Sequence, residues 1–297
     1  MFRRGSPTAD QASVLFFITA VVTFISSVLL QPLLGMGTNL WINEYVYILA
    51  PPLLLALYNK WRIEDVYRFR KTTAKNNIIS IFSGVSLWIF AYYVSKGIRV
   101  LLDNGIGPLE TASRPDPSVY QGILLVIGMV ILAPVCEETF FRGFVQRAYE
   151  SRSRKYGFVI AGVIFGVFHI LNGISEVIPA CVLGIAMGYL VHRTGSIAAS
   201  MLFHAAANAA AIVLGGAFTA ASPVAVPPWL HLPAAAGLIM SLLLMRTLEP
   251  GTAHGSPGNE QADPGGLTVT GIVFLVLSAI FLLAAGIAEI AARLKLF

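Results

Sequence analysis

Glu137, Glu138 and Arg142 interrupt an apolar run that opens near residue 120. An ionisable side chain at hydrocarbon depth costs at least ~2.5 kcal/mol even on the gentlest insertion scale, so this cluster needs partners or a purpose. At about 100° per residue the two acids point in different directions, while Glu138 and Arg142 stand i,i+4 and can pair along one helix face. Two further apolar stretches carry polar groups of the same kind. One ends in Phe165-Gly166-Val167-Phe168-His169, and the other holds His204 and Asn208, i,i+4 with only alanines between them. A carboxylate near a neutral histidine can hold and deprotonate a water. A histidine and an amide on another helix can donate to a developing oxyanion. The set suits hydrolysis, and no Ser, Cys or Lys nucleophile stands with a base at comparable spacing.

The elements that must position these groups are membrane helices. The chain has 297 residues, 56% apolar and only 12% charged, far from the composition of a soluble domain. Lipid tolerates only helices or closed barrels, and the alternation of a barrel is absent. The expected fold is all-α, a polytopic transmembrane bundle of 8 to 9 spans, at residues 12–34, 44–58, 78–102, 120–150, 157–171, 177–192, 196–214, 229–248 and 267–292. Residues 35–43 read as a loop, and Pro51-Pro52 should kink the second span. The basic, aromatic-interleaved stretch 60–77 reads partly as an interfacial amphipathic helix. Residues 103–117 and 249–266 read as polar connections.

The net charge of +5 does not imply nucleic acid, because most Lys and Arg lie in short loops that orient the spans. By that rule the N-terminus, residues 60–75 and the basic end of the fourth span are cytoplasmic, residues 103–117 are external, and the host is the cell membrane. The first apolar run is too long for a cleaved signal and lacks a small-x-small site, which makes it an uncleaved span. Cys136 and Cys181 lie in apolar segments and form no disulfide framework.

Depth decides whether the polar groups can meet. At ~1.5 Å per residue, His169 lies about 18 Å from the cytoplasmic start of its helix, Glu137 roughly 15 to 20 Å from its basic end, and His204 roughly 13 Å in. The ranges overlap. Zinc is a rival use of two His and one Glu, although the helical HExxH spacing is missing and the ligands would come singly from three helices. A salt-bridged patch holding helices together is the structural alternative.

EExxxR (Glu137, Glu138, Arg142), FxxxH (Phe165, His169) and HxxxN (His204, Asn208), each on its own span, resemble the CPBP intramembrane glutamic proteases. This family, also called ABI or CAAX-protease-like, includes the type II CAAX prenyl endopeptidases. The resemblance covers residues 122–214. It implies that Glu137 and His169 activate water, that His204 and Asn208 form the oxyanion hole, that Glu138 and Arg142 support the site, and that no metal or other cofactor takes part. It divides the chain into an N-terminal part (1–118), a core (119–216) and a C-terminal part (217–297). The implied partners are membrane lipid and a hydrophobic or lipidated peptide or protein. A non-proteolytic scaffold or bacteriocin-immunity protein of the same fold, and more distantly a proton-coupled transporter, are the competing functions.

Overall fold

The computed structural model describes residues 5–109, 118–151, 153, 155–221, 225–251 and 267–296. Within them the chain is a bundle of nine long helical stretches: α1 (Ala9–Leu29), α2 (Met36–Tyr58), α3 (Ala74–Gly105), α4 (Val119–Glu150), α5 (Gly157–Asn172), α6 (Ile174–Thr194), α7 (Ile197–Ala221), α8 (Pro228–Arg246) and α9 (Val269–Arg293). Eight are long and apolar enough to cross a bilayer, while α5 falls short of the 18 residues required. Helix α3 packs on α6, α7 and α8, α5 packs on α6, and α1 packs on α9.

Small residues permit the close approach of α5 and α6. A Cβ on Gly162 would stand 2.5 Å from the Ile185 backbone nitrogen. The glycines of α6 also expose carbonyls to α4: Arg142 Nη2 donates to Gly184 O at 3.0 Å, and Gln146 Nε2 to Gly188 O at 3.1 Å.

Three expectations from the sequence need correction. Residues 36–43 are helix, because α2 opens at Met36 on a cap that comes from α4. The capping residue Gly35 has φ +82°, a region glycine occupies without Cβ strain. Gln121 Oε1 accepts the amides of Gly37 and Thr38 at 2.8 and 3.2 Å, satisfying donors that every helix start leaves open. Helix α6 repeats the device. Its cap Gly173 has φ +126°, and Glu289 Oε2 on α9 accepts the Ile174 amide at 2.7 Å.

Second, the basic stretch after α2 holds one helical turn, Ile63–Val66, rather than an interfacial helix. Trp61, Val66 and Tyr67 are buried, Tyr67 Oη donates to Pro52 O at 2.5 Å, and Arg68 pairs with Glu150 at the end of α4. The segment tucks under the bundle because its aromatics find carbonyls and core there. Third, the fifth stretch, Gly157–Asn172, is shorter than the spanning helices, and its α-helical part stops at Phe168. Most of the expected connections at 103–117 and 249–266 lie outside the described residues.

The prolines of α2 do distort it, through a π-helical segment, Asn43–Leu49. In that register the Ala50 amide reaches back to Tyr45 O. Tyr47 O then loses its donor in either register, since both Pro51 and Pro52 lack an N–H. Thr19 Oγ1 on α1 supplies one at 3.1 Å.

Candidate active site

Helix α4 carries the same distortion. Its π segments Gly128–Leu132 and Thr139–Val145 flank the α-helical Ala133–Glu138, which contains Pro134 and both acids. Such segments recur at functional sites because they reset which side chains face a neighbour. The Ala133 amide donates to Gly128 O, a π register in which Met129 O should receive its bond from residue 134. Proline has no N–H to give. Asn208 Nδ2 on α7 takes that place, 2.8 Å from Met129 O.

Below that contact lies a fully buried ionic cluster. Glu138 and Arg142 have no exposed side-chain surface, and Arg142 Nη1 meets Glu138 Oε1 at 2.7 Å. His204 Nδ1 lies 3.0 Å from the same oxygen. A carboxylate can only accept, so the His204 proton sits on Nδ1 and its Nε2 remains for another partner. The Arg142 guanidinium stacks over the Phe165 ring at 4.4 Å. His204 approaches that ring edge-on at 5.9 Å, and His169 packs on it at 4.4 Å between centroids. Phe165 is therefore the common floor of three polar groups.

His169 opens a 3-10 turn at the end of the α-helical part of α5, half-buried, with Nδ1 2.9 Å from Phe165 O. A carbonyl only accepts, so this ring too is protonated on Nδ1 and presents Nε2 as a lone pair. That is the tautomer a general base requires.

The i,i+4 spacing paired Glu138 with Arg142, and the family resemblance assigned His204 to the oxyanion hole. The geometry keeps the Glu138–Arg142 pair and adds His204 to it, and Phe165 links His169 to the group. Glu137 is half-buried, with Oε2 enclosed and without a hydrogen-bond partner. Its carboxyl makes side-chain contact with Glu44 on α2. Among the described residues no hydrogen bond joins Glu137 to His169, His204 or Asn208.

Sequence reasoning missed Glu44 because residues 35–43 read as a loop, which put this acid at a span boundary where charge is unremarkable. It also missed the continuation of the stripe along α4. Gln146 Nε2 donates to Glu150 Oε1 at 2.8 Å, and Glu150 pairs with Arg68. The i,i+4 series Glu138, Arg142, Gln146, Glu150 was the available signal.

The zinc alternative requires three ligands around one point. Among the described residues no three His, Cys, Asp or Glu side chains converge in that way, and both histidine Nδ1 atoms are committed to protein acceptors.

Residues 119–210 match the family model of the type II CAAX prenyl endopeptidases, Rce1-like. The match takes in α4 to α7 as far as Ala210, and with them all three motifs; the resemblance read from those motifs holds over this segment. Neither curated proteins nor solved structures yield a match.

Proposed function

We propose that this multi-pass membrane protein, whose 119–210 segment carries the Rce1-like pattern, is an intramembrane glutamic endopeptidase. Its core is residues 119–216. The proposed substrates are membrane-associated peptides or proteins, prenylated or otherwise hydrophobic. The observation that carries this reading is the convergence of Arg142, His204 and His169 on Phe165, with Glu138 bonded to both Arg142 and His204, beside a carboxyl, Glu137, with an unpartnered oxygen.

In the proposed reaction Glu137, with His169 Nε2, takes a proton from water, and the resulting hydroxide attacks the scissile carbonyl carbon. Negative charge develops on the carbonyl oxygen. His204 Nε2, in the ring form that carries both protons, and the second N–H of Asn208 are the donors assigned to it. The C–N bond then breaks, the amine leaves with the proton held on the general base, and the new carboxyl completes the balance of water plus amide. Glu138 and Arg142 position His204 and neutralise each other.

A second reading has a specific observation in its favour. Asn208 and His204 each satisfy a structural partner, Met129 O and Glu138 respectively, as a non-proteolytic scaffold or immunity protein would need. Turnover separates the two. Purified protein in liposomes, given a panel of farnesylated and unmodified hydrophobic peptides, should release cleavage products that Glu137→Gln abolishes and exhaustive chelation leaves intact. Unchanged cleavage by Glu137→Gln would remove Glu137 from the chemistry, and loss on chelation restored by zinc would revive the metal mechanism.

The proposed orientation keeps the N-terminus cytoplasmic in the cell membrane. A cysteine at Ser153 should then label only from inside and one at Ser113 only from outside. The reverse pattern would invert the orientation.

A further inference from the structure

Glu44 is an acid that the matched segment does not contain. It sits on the π segment Asn43–Leu49, which packs against Ala133–Glu138, and it is only 3% exposed. No salt bridge holds it among the described residues. Its carboxyl lies beside that of Glu137, and Oε2 of each is enclosed without a hydrogen-bond partner. Ionised carboxylates only accept, so neither can bond to the other unless one proton lies between them. Paired carboxyls that share a site are the setting in which one proton can be held between two acids. The Cys136 thiol lies near both acids, and Arg142 is near Glu137.

We propose that Glu44 and Glu137 form a proton-sharing carboxyl pair, in which Glu44 is a positioning residue that holds Glu137 by one hydrogen bond in the orientation its water needs. This rests on the proteolytic reading above for its catalytic consequence, but not for the pair itself. The shared proton is a spectator: the proton that cleavage moves comes from water and ends on the leaving amine. Helix α2 thus supplies part of the active site although it lies outside the family match.

Infrared spectroscopy of the purified protein in an ester-free detergent, in H2O and D2O, reads the pair without any substrate. The wild type should show the deuterium-sensitive carbonyl stretch of a protonated carboxyl at neutral pH, and Glu44→Gln should lose it. A wild type without that band, or a Glu44→Gln variant that keeps it, overturns the pair. The kinetic arm uses two side chains of similar length. Glu44→Gln still donates to Glu137 and should retain kcat within about threefold, whereas Glu44→Met donates nothing and should lose about 10- to 100-fold in kcat at unchanged KM, the range of one hydrogen bond to a charged group. Equal kcat in the Gln and Met variants overturns the positioning role. If Glu44→Met fails to fold, Glu44→Gln with its band and kcat decides. A wild type that cleaves nothing defeats the proteolytic reading, and the infrared band still decides the pair.

Discussion

His204 Nδ1 and Glu138 Oε1 lie 3.0 Å apart, on the oxygen that also receives Arg142 Nη1 at 2.7 Å. Through this contact the second glutamate of the EExxxR motif acts on the HxxxN helix. With Nδ1–H pointed at Glu138, His204 can donate from Nε2 to an oxyanion only when the ring holds both protons. Glu138 and Arg142 cancel in charge, so the cluster would then meet the oxyanion with a net positive charge. Arg142→Met removes one partner of a buried pair and should destabilise the protein by about 3–5 kcal/mol, because Glu138 is left uncompensated. The double variant Glu138→Gln/Arg142→Met should recover much of that loss. Unfolding in detergent by denaturant titration measures both, and a double variant no more stable than Arg142→Met alone would contradict the pairing.

Asn208 is assigned two tasks that a double variant can separate. It supplies the donor that Pro134 denies Met129 O, and in the proposed mechanism it stabilises the oxyanion. Asn208→Ala should slow kcat about 10²- to 10³-fold if an oxyanion donor is lost. Pro134→Ala restores a backbone N–H in the π register, so the pair Pro134→Ala/Asn208→Ala should regain stability. Its kcat should stay low. Recovery of full turnover in the double variant would make Asn208 a structural cap and nothing more.

Helix α9, far from the motifs in sequence, grips the turn that follows His169. Glu289 Oε2 accepts the Ile174 amide at 2.7 Å, and its Oε1 accepts Arg293 Nε at 2.8 Å. Arg293 in turn meets Asp103 Oδ1 at 2.7 Å. Glu289→Ala should cost about 0.5–2 kcal/mol as the loss of a helix cap and lower kcat through the loosened His169 turn. Glu289→Gln keeps an acceptor for Ile174 and should retain most of both. Equal losses in Ala and Gln would assign the effect to the ion pair with Arg293 instead.

The elements visible in the sequence were those whose cause is local. Long apolar stretches gave the spanning helices, and the i,i+4 spacing of Glu138 and Arg142 gave their pair. The start of α2 was hidden because its cap is Gln121, more than eighty residues away, and the start of α6 because its cap is Glu289. Neither Gly35 nor Gly173 has a side-chain oxygen to cap with, so the oxygen arrives from another helix. Misplacing α2 then concealed Glu44. Depth estimates brought the right helices together but could not say which glutamate His204 would meet, because π segments on both sides of Ala133–Glu138 change the rotation per residue. The burial of Tyr67 depends on the Pro52 carbonyl, which no local signal in residues 60–77 announces.

His169 has one nitrogen committed and one free, and this makes its contribution separable from packing. The bond from Nδ1 to Phe165 O spans one helical turn, so losing it should cost only about 1 kcal/mol. Loss of a general base, in contrast, slows the chemical step about 10²- to 10⁴-fold. His169→Ala should therefore lower kcat steeply with little change in unfolding, and added imidazole, which can occupy the vacated space, should restore part of the rate. Phe165→Leu gives the opposite balance. It removes the ring on which His169 and the Arg142 guanidinium rest, a cation–π contact worth about 2 kcal/mol when desolvated, so stability should fall along with rate and imidazole should restore nothing. If His169→Ala cleaves at the wild-type rate, water activation must rest on the Glu44–Glu137 side of the site alone.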